Sequence, residues 1–270
     1  MKLLILVVVY GRPWRDSETL ASLLKAGDLA GHKVTIWDNS PTIHQDDSLL
    51  AEFRERGADI NFVLAPDNRS LSEIYNLISE EAAHFDGLML LDQDTALPSS
   101  FIRSLSTDMR NNADVNLFLP IVRCGSRIVS PGSLILFKGK HWKEERRGRI
   151  TSKNLACITS GMTIRSAYFA QKSLPFDQRL NFYGIDTKFM LDYAKVDSFA
   201  YITDATLVHD SALWSPISKD EFLKRFRLLR KSSLIVFGGS PIRYFLALLY
   251  QTYCSIKYAI IYKDIRFIAT

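Results

Sequence analysis

The stretch Gly87-Leu88-Met89-Leu90-Leu91-Asp92-Gln93-Asp94-Thr95 is an apolar run that ends on two carboxylates one residue apart. A short apolar run of this kind reads as a buried strand, with Asp92 and Asp94 where the strand opens into a loop. In open α/β sheets ligands bind at that edge. Two carboxylates there suit a divalent cation, because a magnesium-like ion takes carboxylate oxygens and leaves positions for substrate phosphates. A strand followed by a plain turn is the competing reading, since Asp is common in turns. The neighbouring segments decide between the two.

Upstream, Met1 to Tyr10 is a mostly apolar stretch with β-branched residues crowded at its end. It superficially resembles a secretion signal, but it carries one basic residue and no small-residue cleavage site. It reads better as a buried parallel strand, which places the chain in the cytoplasm or on the cytoplasmic side of a membrane. A helix is expected from Asp16 or Ser17 as N-cap through Leu20, Leu23 and Leu24, closed by Gly27 and Gly31. Val34 to Trp37 forms a second strand, stopping at Asp38-Asn39-Ser40-Pro41. A helix over about 49–56 and a strand over 60–64 follow. Ser70 and Glu73 have the spacing of a capping box, ahead of a helix whose apolar face is Leu71, Ile74, Leu77 and Ile78. Pro98 and Ser99 open a further helix after the Asp-x-Asp strand.

Strands alternating with helices predict a parallel, doubly wound α/β sheet. Right-handed crossovers put the C-terminal ends of all its strands on one edge. Tyr10, Asp38 and the Asp92/Asp94 pair each close a strand, so they should line one crevice.

After Pro120 the alternation breaks. Residues 127–137 and 155–165 read as strands without intervening helices, a mixed extension of the sheet. Lys138 to Arg149, rich in Lys and Arg, reads as a solvated loop, with a phosphate-binding lid as the alternative. A helix follows around Asp186 to Tyr193, then a strand over 199–203 leading to His209. From Ser218 the chain turns basic and helical, with aromatic residues interleaved. Such helices suit an anionic membrane surface. Packing on the catalytic core or on a second subunit is the alternative. These shifts divide the chain into a catalytic domain at 1–215, with a nucleotide-binding half (1–115) and an acceptor-side half (116–215), and a basic amphipathic tail at 216–270.

The 270 residues are 47% hydrophobic and 23% charged, with a net charge of +5, ordinary for one large globular domain. The positive balance suits nucleotide phosphates, nucleic acid or an anionic membrane. No nucleic-acid-binding module is recognisable. Three widely spaced cysteines, Cys124, Cys157 and Cys254, provide neither a disulfide framework nor a zinc site.

Several short motifs occur in a characteristic order: Val8-Val9-Tyr10, Asp38-Asn39-Ser40, Asn68 to Asn76, Leu91-Asp92-Gln93-Asp94, Ser160-Gly161, Tyr183-Gly184-Ile185-Asp186 and Val208-His209. With them, roughly residues 3–210 resemble the family-2 glycosyltransferases of GT-A fold. The resemblance implies a nucleotide-sugar donor, an inverting mechanism and a bound Mn2+ or Mg2+. It implies that Tyr10 stacks on the base, that Asp38 accepts from a pyrimidine NH, and that Asn68 belongs to the nucleotide site. It puts Asp92 near the ribose, Asp94 and His209 at the metal, and Ser160 and Gly161 on the acceptor or diphosphate side. It makes Asp186 the catalytic base. The sequence departs from the family pattern at Gly11, Ser70 and Ile185, where Asn, Gly and Glu are the commoner residues.

Asp-Gln-Asp-Thr followed by Ala-Leu-Pro most resembles bacterial rhamnosyltransferases that elongate lipid-linked cell-surface glycans. The expected donor is then dTDP-L-rhamnose, with a UDP-hexose as the alternative, and the expected acceptor is a glycan or lipid-linked hydroxyl. Without the resemblance, Asp186 reads as a helix-surface carboxylate, His209 as a structural histidine or a ligand, and Tyr10 as a cap on the sheet edge. An Asp-x-Asp-x-Thr phosphatase is disfavoured, because Ala96 occupies the Thr position and the motif is not on the first strand. A dinucleotide oxidoreductase lacks its Gly-x-Gly-x-x-Gly after strand one. A membrane-associated glycan-binding or scaffold protein with a decayed site is the rival outside enzymes, and the retained Asp94 and Asp186 argue against it.

Overall fold

The computed structural model describes residues 1–26, 29–42, 44–171, 174–209 and 217–268. Gly27, expected to close the first helix, and the expected domain boundary at 215 lie outside the described residues. The first half alternates as its periodicity predicts: β1 (Leu3–Val9), α1 (Glu18–Ala26), β2 (Lys33–Asp38), α2 (Asp47–Glu55), β3 (Asp59–Leu64), α3 (Leu71–Glu81), β4 (Gly87–Asp92), a two-residue β5 (Thr95–Ala96) and α4 (Phe101–Asn111). The second half runs β6 (Leu117–Cys124), β7 (Arg127–Ser130), β8 (Gly132–Ile135), β9 (Lys138–His141), β10 (Gly148–Thr151), β11 (Leu155–Ala156), β12 (Met162–Arg165), α5 (Ser166–Phe169), α6 (Ile185–Val196), β13 (Phe199–His209), α7 (Lys219–Phe237) and α8 (Pro241–Tyr262).

The principal sheet has the order β10-β13-β6-β12-β4-β1-β2-β3, with β5 added against β13 and β7 against β6. Strands β3, β2, β1 and β4 are parallel. β12 enters antiparallel between β4 and β6, which makes the extension mixed. Every residue of β1 is buried, as a central strand covered on both faces requires. Alternation sorts its side chains between two layers. Leu4, Leu6 and Val8 join α3, α6 and the ends of α7 and α8 in one core cluster. Leu3, Ile5, Val7 and Val9 join α1, α2 and α4 in the other.

The register places the site. Val9 pairs with Asp38 and Val8 with Asp92, so β1, β2 and β4 end nearly level and their loops share one edge.

Three sequence expectations are corrected. Residues 127–137 and 155–165 are each two short strands, one in the principal sheet and one in a small sheet of order β11-β8-β9. Pro131 has no N–H to offer a ladder, which separates β7 from β8. Lys138 to Arg149 is not simply a solvated loop, because it supplies β9 and β10. Within it, Glu145 accepts from Arg123 at 2.8 Å and pairs with Arg147 at 2.5 Å, and Arg147 also donates to the Thr203 carbonyl at 2.6 Å. The capping box at Ser70 is half formed. Ser70 Oγ accepts the Glu73 N–H, while the Glu73 carboxylate sits 3.5 Å from Arg69. The complete box is at Ser218 and Glu221, opening α7.

Helices α7 and α8 pack on the body of the protein. Val236, Phe237 and Ala247 are buried in the main core, and Phe222 and Phe226 meet Tyr258 edge-on within the hairpin. Among the described residues no helix is long and apolar enough to cross a membrane.

Candidate active site

The loops at the C-terminal edge of β1 and β4, the turn before β12, the N-terminus of α6 and a side chain from α7 enclose a cleft of about 870 Å³. Of the residues singled out from sequence, Tyr10, Asn68, Asp92, Asp94, Ser160, Asp186 and His209 line it.

Asp92, Asp94 and His209 form its chemical centre. One oxygen of each carboxylate and a ring nitrogen of His209 all lie within 4.8 Å of one another. The strand pairing explains how a residue 115 positions downstream of Asp94 arrives there. β5, directly after the motif, pairs antiparallel with the end of β13 and sets His209 opposite Thr95. His209 Nδ1 then stands 3.4 Å from Asp94 Oδ1 and 3.2 Å from Thr95 Oγ1. Two hard carboxylate donors and one imidazole fit a divalent cation. Carboxylates suit Mg2+ and Mn2+ alike, and the nitrogen donor tilts the set toward the transition metal.

Asp92, expected near the ribose, is thus grouped with the candidate ligands. It also accepts a hydrogen bond from Ser160 Oγ. Burial raises its carboxyl above the ordinary range, the Ser160 hydroxyl opposes that, and Asp94 adds to it.

The loop of the motif is held by contacts that the sequence did not reveal. Gln93 accepts the Tyr10 N–H at 2.8 Å and donates to the Tyr10 carbonyl at 3.2 Å. Its own carbonyl accepts from Ser17 Oγ at 2.8 Å. Thr19 Oγ1 lies between the carbonyls of Asp92 and Thr95 and accepts the Thr95 N–H at 2.9 Å. The first turn of α1 therefore fixes the Asp-x-Asp loop. The only sequence signal was the Ser and Thr cluster at a helix start.

Asp38, expected to accept from a pyrimidine NH, stands apart from the other site residues. It ends β2 at the expected edge but is 1% exposed and does not line the cleft. Its carboxylate accepts from Trp14 Nε1 at 2.8 Å, Ser40 N at 3.0 Å and His44 N at 3.3 Å. A carboxylate satisfied by three donors, two of them buried, organises the loop from within. Its neighbour Asn39 takes the cleft position, donating to Asn68 Oδ1 and the Arg69 carbonyl and accepting the Arg69 N–H, each at 2.9 Å. Asn68 adopts φ +51°, a left-handed conformation that Asn tolerates better than most residues.

Gly161 is likewise structural. It has φ +79°, and a Cβ there would meet Leu207 at 2.6 Å and Pro120 at 2.7 Å. Its N–H donates to the Leu90 carbonyl at 2.8 Å, so it closes the turn that delivers Ser160.

Asp186 sits in the first turn of α6, after Gly184 as N-cap with φ +82°. A Cβ on Gly184 would come 2.8 Å from Val236, so the glycine lets α7 press against the loop that carries Asp186. The carboxylate accepts from Thr187 N at 2.6 Å. Burial pushes its carboxyl up to about 6, the Thr187 hydrogen bonds pull the other way, and the charge of Asp92 adds to the rise. A carboxylate with that value takes protons efficiently near neutral pH. Arg225 of α7 completes the wall, its guanidinium 6.0 Å from the centre of the Tyr183 ring.

No protein-family model and no curated protein matches this sequence. Solved structures do match. The chain superposes on S. aureus TarS 1–349 with a TM-score of 0.57 at 14% identity, covering 99% of this chain and 89% of that one. Against TarS 1–349 in complex with UDP-GlcNAc the TM-score is 0.55 at 14% identity, covering 87% and 67%. Against GalNAc-T7 with UDP, GalNAc and Mn2+ it is 0.63 at 12% identity, covering 88% of this chain and 47% of that one. At such identities the likeness speaks for the fold: the chain has the GT-A fold, a mainly parallel doubly wound sheet with a mixed extension and C-terminal helices.

Proposed function

We propose that the protein transfers a sugar from a nucleoside diphosphate to an acceptor hydroxyl, with inversion at the anomeric carbon. The observation that carries this reading is the Asp92–Asp94–His209 cluster, which shares one cleft with Asp186, a partly buried carboxylate whose value lies near 6. Asp94 and His209, joined by Asp92, would hold Mn2+ or Mg2+. When bound, that ion neutralises the charge developing on a diphosphate leaving group.

The remaining work falls to the chain. Tyr10, 49% exposed at the cleft, offers its ring to the base, and Gln93 fixes its backbone. Asn39 and Asn68 bound the same end. The acceptor hydroxyl approaches Asp186, which takes its proton as the oxygen attacks the anomeric carbon. The bond to the diphosphate breaks on the opposite face, so a single displacement inverts the centre. Ser160, donating to Asp92, keeps that carboxylate oriented.

TarS and GalNAc-T7 have been solved with UDP-GlcNAc and with UDP, GalNAc and Mn2+, which favours a UDP-sugar as donor here. The Asp-Gln-Asp-Thr motif favours dTDP-L-rhamnose. A screen of nucleotide sugars read by mass spectrometry, with calorimetry of UDP and dTDP in the presence and absence of manganese, separates them. Binding of neither nucleotide would overturn the proposal.

A further inference from the structure

Helix α8 is largely apolar, yet only one side is covered. At 100° per residue, buried Ala247 and Cys254 and the hairpin contact Tyr258 fall on its inner face. The opposite face carries Ile242, Phe245, Leu249, Tyr253, Ile256 and Ile260, spaced three and four residues apart over the length of the helix. All six are exposed, Ile242 and Ile260 by 71% and Phe245 by 58%. Single exposed apolar residues need no explanation, but a continuous stripe of this length marks an interaction surface.

Charge identifies the occupant. From residue 217 to the end the chain has ten Lys and Arg against three Asp and Glu, a local +7 in a protein of net +5. The remainder is therefore slightly acidic, and the positive charge is concentrated on this hairpin. Lys224, Arg227 and Lys231 are exposed at helical spacing along α7, and Lys257 and Lys263 are exposed beside the stripe. Two copies meeting through this face would oppose like charges. An anionic lipid surface answers both the apolar stripe and the basic flanks, and α8 is not apolar enough to span a bilayer.

We propose that α8 lies in the plane of an anionic bilayer, with the stripe from Ile242 to Ile260 among the acyl chains and the exposed Lys224, Arg227, Lys231, Lys257 and Lys263 at the headgroups. This does not depend on the sugar-transfer reading. It is consistent with the cleft drawing its acceptor from a membrane, because Arg225 of the same hairpin lines the cleft.

The test is flotation of the full chain with phosphatidylcholine vesicles, with and without phosphatidylglycerol. The protein should float with the anionic vesicles and release as salt rises. The F245S/L249Q/I256Q variant should bind at least about tenfold more weakly, with unchanged circular dichroism and sedimentation. K257E/K263E keeps the stripe and should lose the preference for anionic over neutral vesicles. Absence of the wild type from the floated fraction, equal flotation of the stripe variant, or unaltered lipid preference of the charge variant would each overturn the proposal. So would a wild-type dimer that the stripe substitutions dissociate without either protein floating, which would assign the face to a second copy.

Discussion

Replacing Asp186 with Asn tests whether this carboxylate is held at a cost to stability. A carboxyl lifted from 3.8 to about 6 holds its proton about 3 kcal/mol more tightly in the folded than in the unfolded chain. Asp186 is only partly buried, so solvent screening reduces this to roughly 1–3 kcal/mol. The sign follows from which state holds the proton. Between about pH 4 and 6 the folded state retains it and the unfolded state has lost it, so stability falls as pH rises across that window. Above it the ionised carboxylate carries the full cost. Asn keeps an oxygen for the Thr187 N–H and never ionises. The variant should therefore match the wild type near pH 4 and exceed it by roughly 1–3 kcal/mol at about pH 8, or ~2–6 °C in Tm for a chain of this size. Urea or thermal unfolding of both proteins in chelator, at the two pH values, reads this directly. A stability difference that does not change with pH would refute the placement of Asp186 in a desolvating environment. In a transfer assay the same variant should be inactive with nucleotide affinity nearly intact, and the wild-type rate should fall on acidification with a midpoint near 6.

Asp94→Ala removes a candidate ligand, so manganese affinity, measured by calorimetry without nucleotide, should drop by about 100-fold or more; retention of wild-type affinity would place the ion elsewhere. Gly161→Ala forces a Cβ into a left-handed position against Leu207 and Pro120. The variant should lose roughly 2–4 kcal/mol in urea unfolding, and a loss below 1 kcal/mol would show that the turn relaxes. Gln93→Leu unclasps Tyr10 without touching a candidate ligand. It should raise the KM for the donor several-fold while kcat and manganese affinity stay near wild type, and a fall in kcat alone would contradict the positioning role.

The fold was legible because its signals are local. Continuous apolar runs at Leu3–Val9 and Leu88–Leu91, helices between strands and the break after Pro120 set the strand directions, and hence the edge where Tyr10, Asp92 and Asp94 gather. Periodicity reports whether a segment is buried, and with right-handed crossovers that suffices for the parallel half. It does not report which of two distant short strands will pair, so the division of 127–137 and 155–165 between two sheets escaped it.

For the site, the chain on its own determined that carboxylates stand at the binding edge, and the order of motifs singled out Asp186 and His209. Only the tertiary structure decided that β5 pairs with β13 and draws His209 to Asp94, and that Asp38 turns inward to Trp14 while Asn39 faces the cleft. It alone shows Gln93 clasping Tyr10, and α7 closing over Gly184 with Arg225 in the wall. Each of these depends on a side chain meeting a partner remote in sequence. Such a choice is settled by which buried donors and acceptors remain to be satisfied once the sheet has closed, and no local pattern of residues records it.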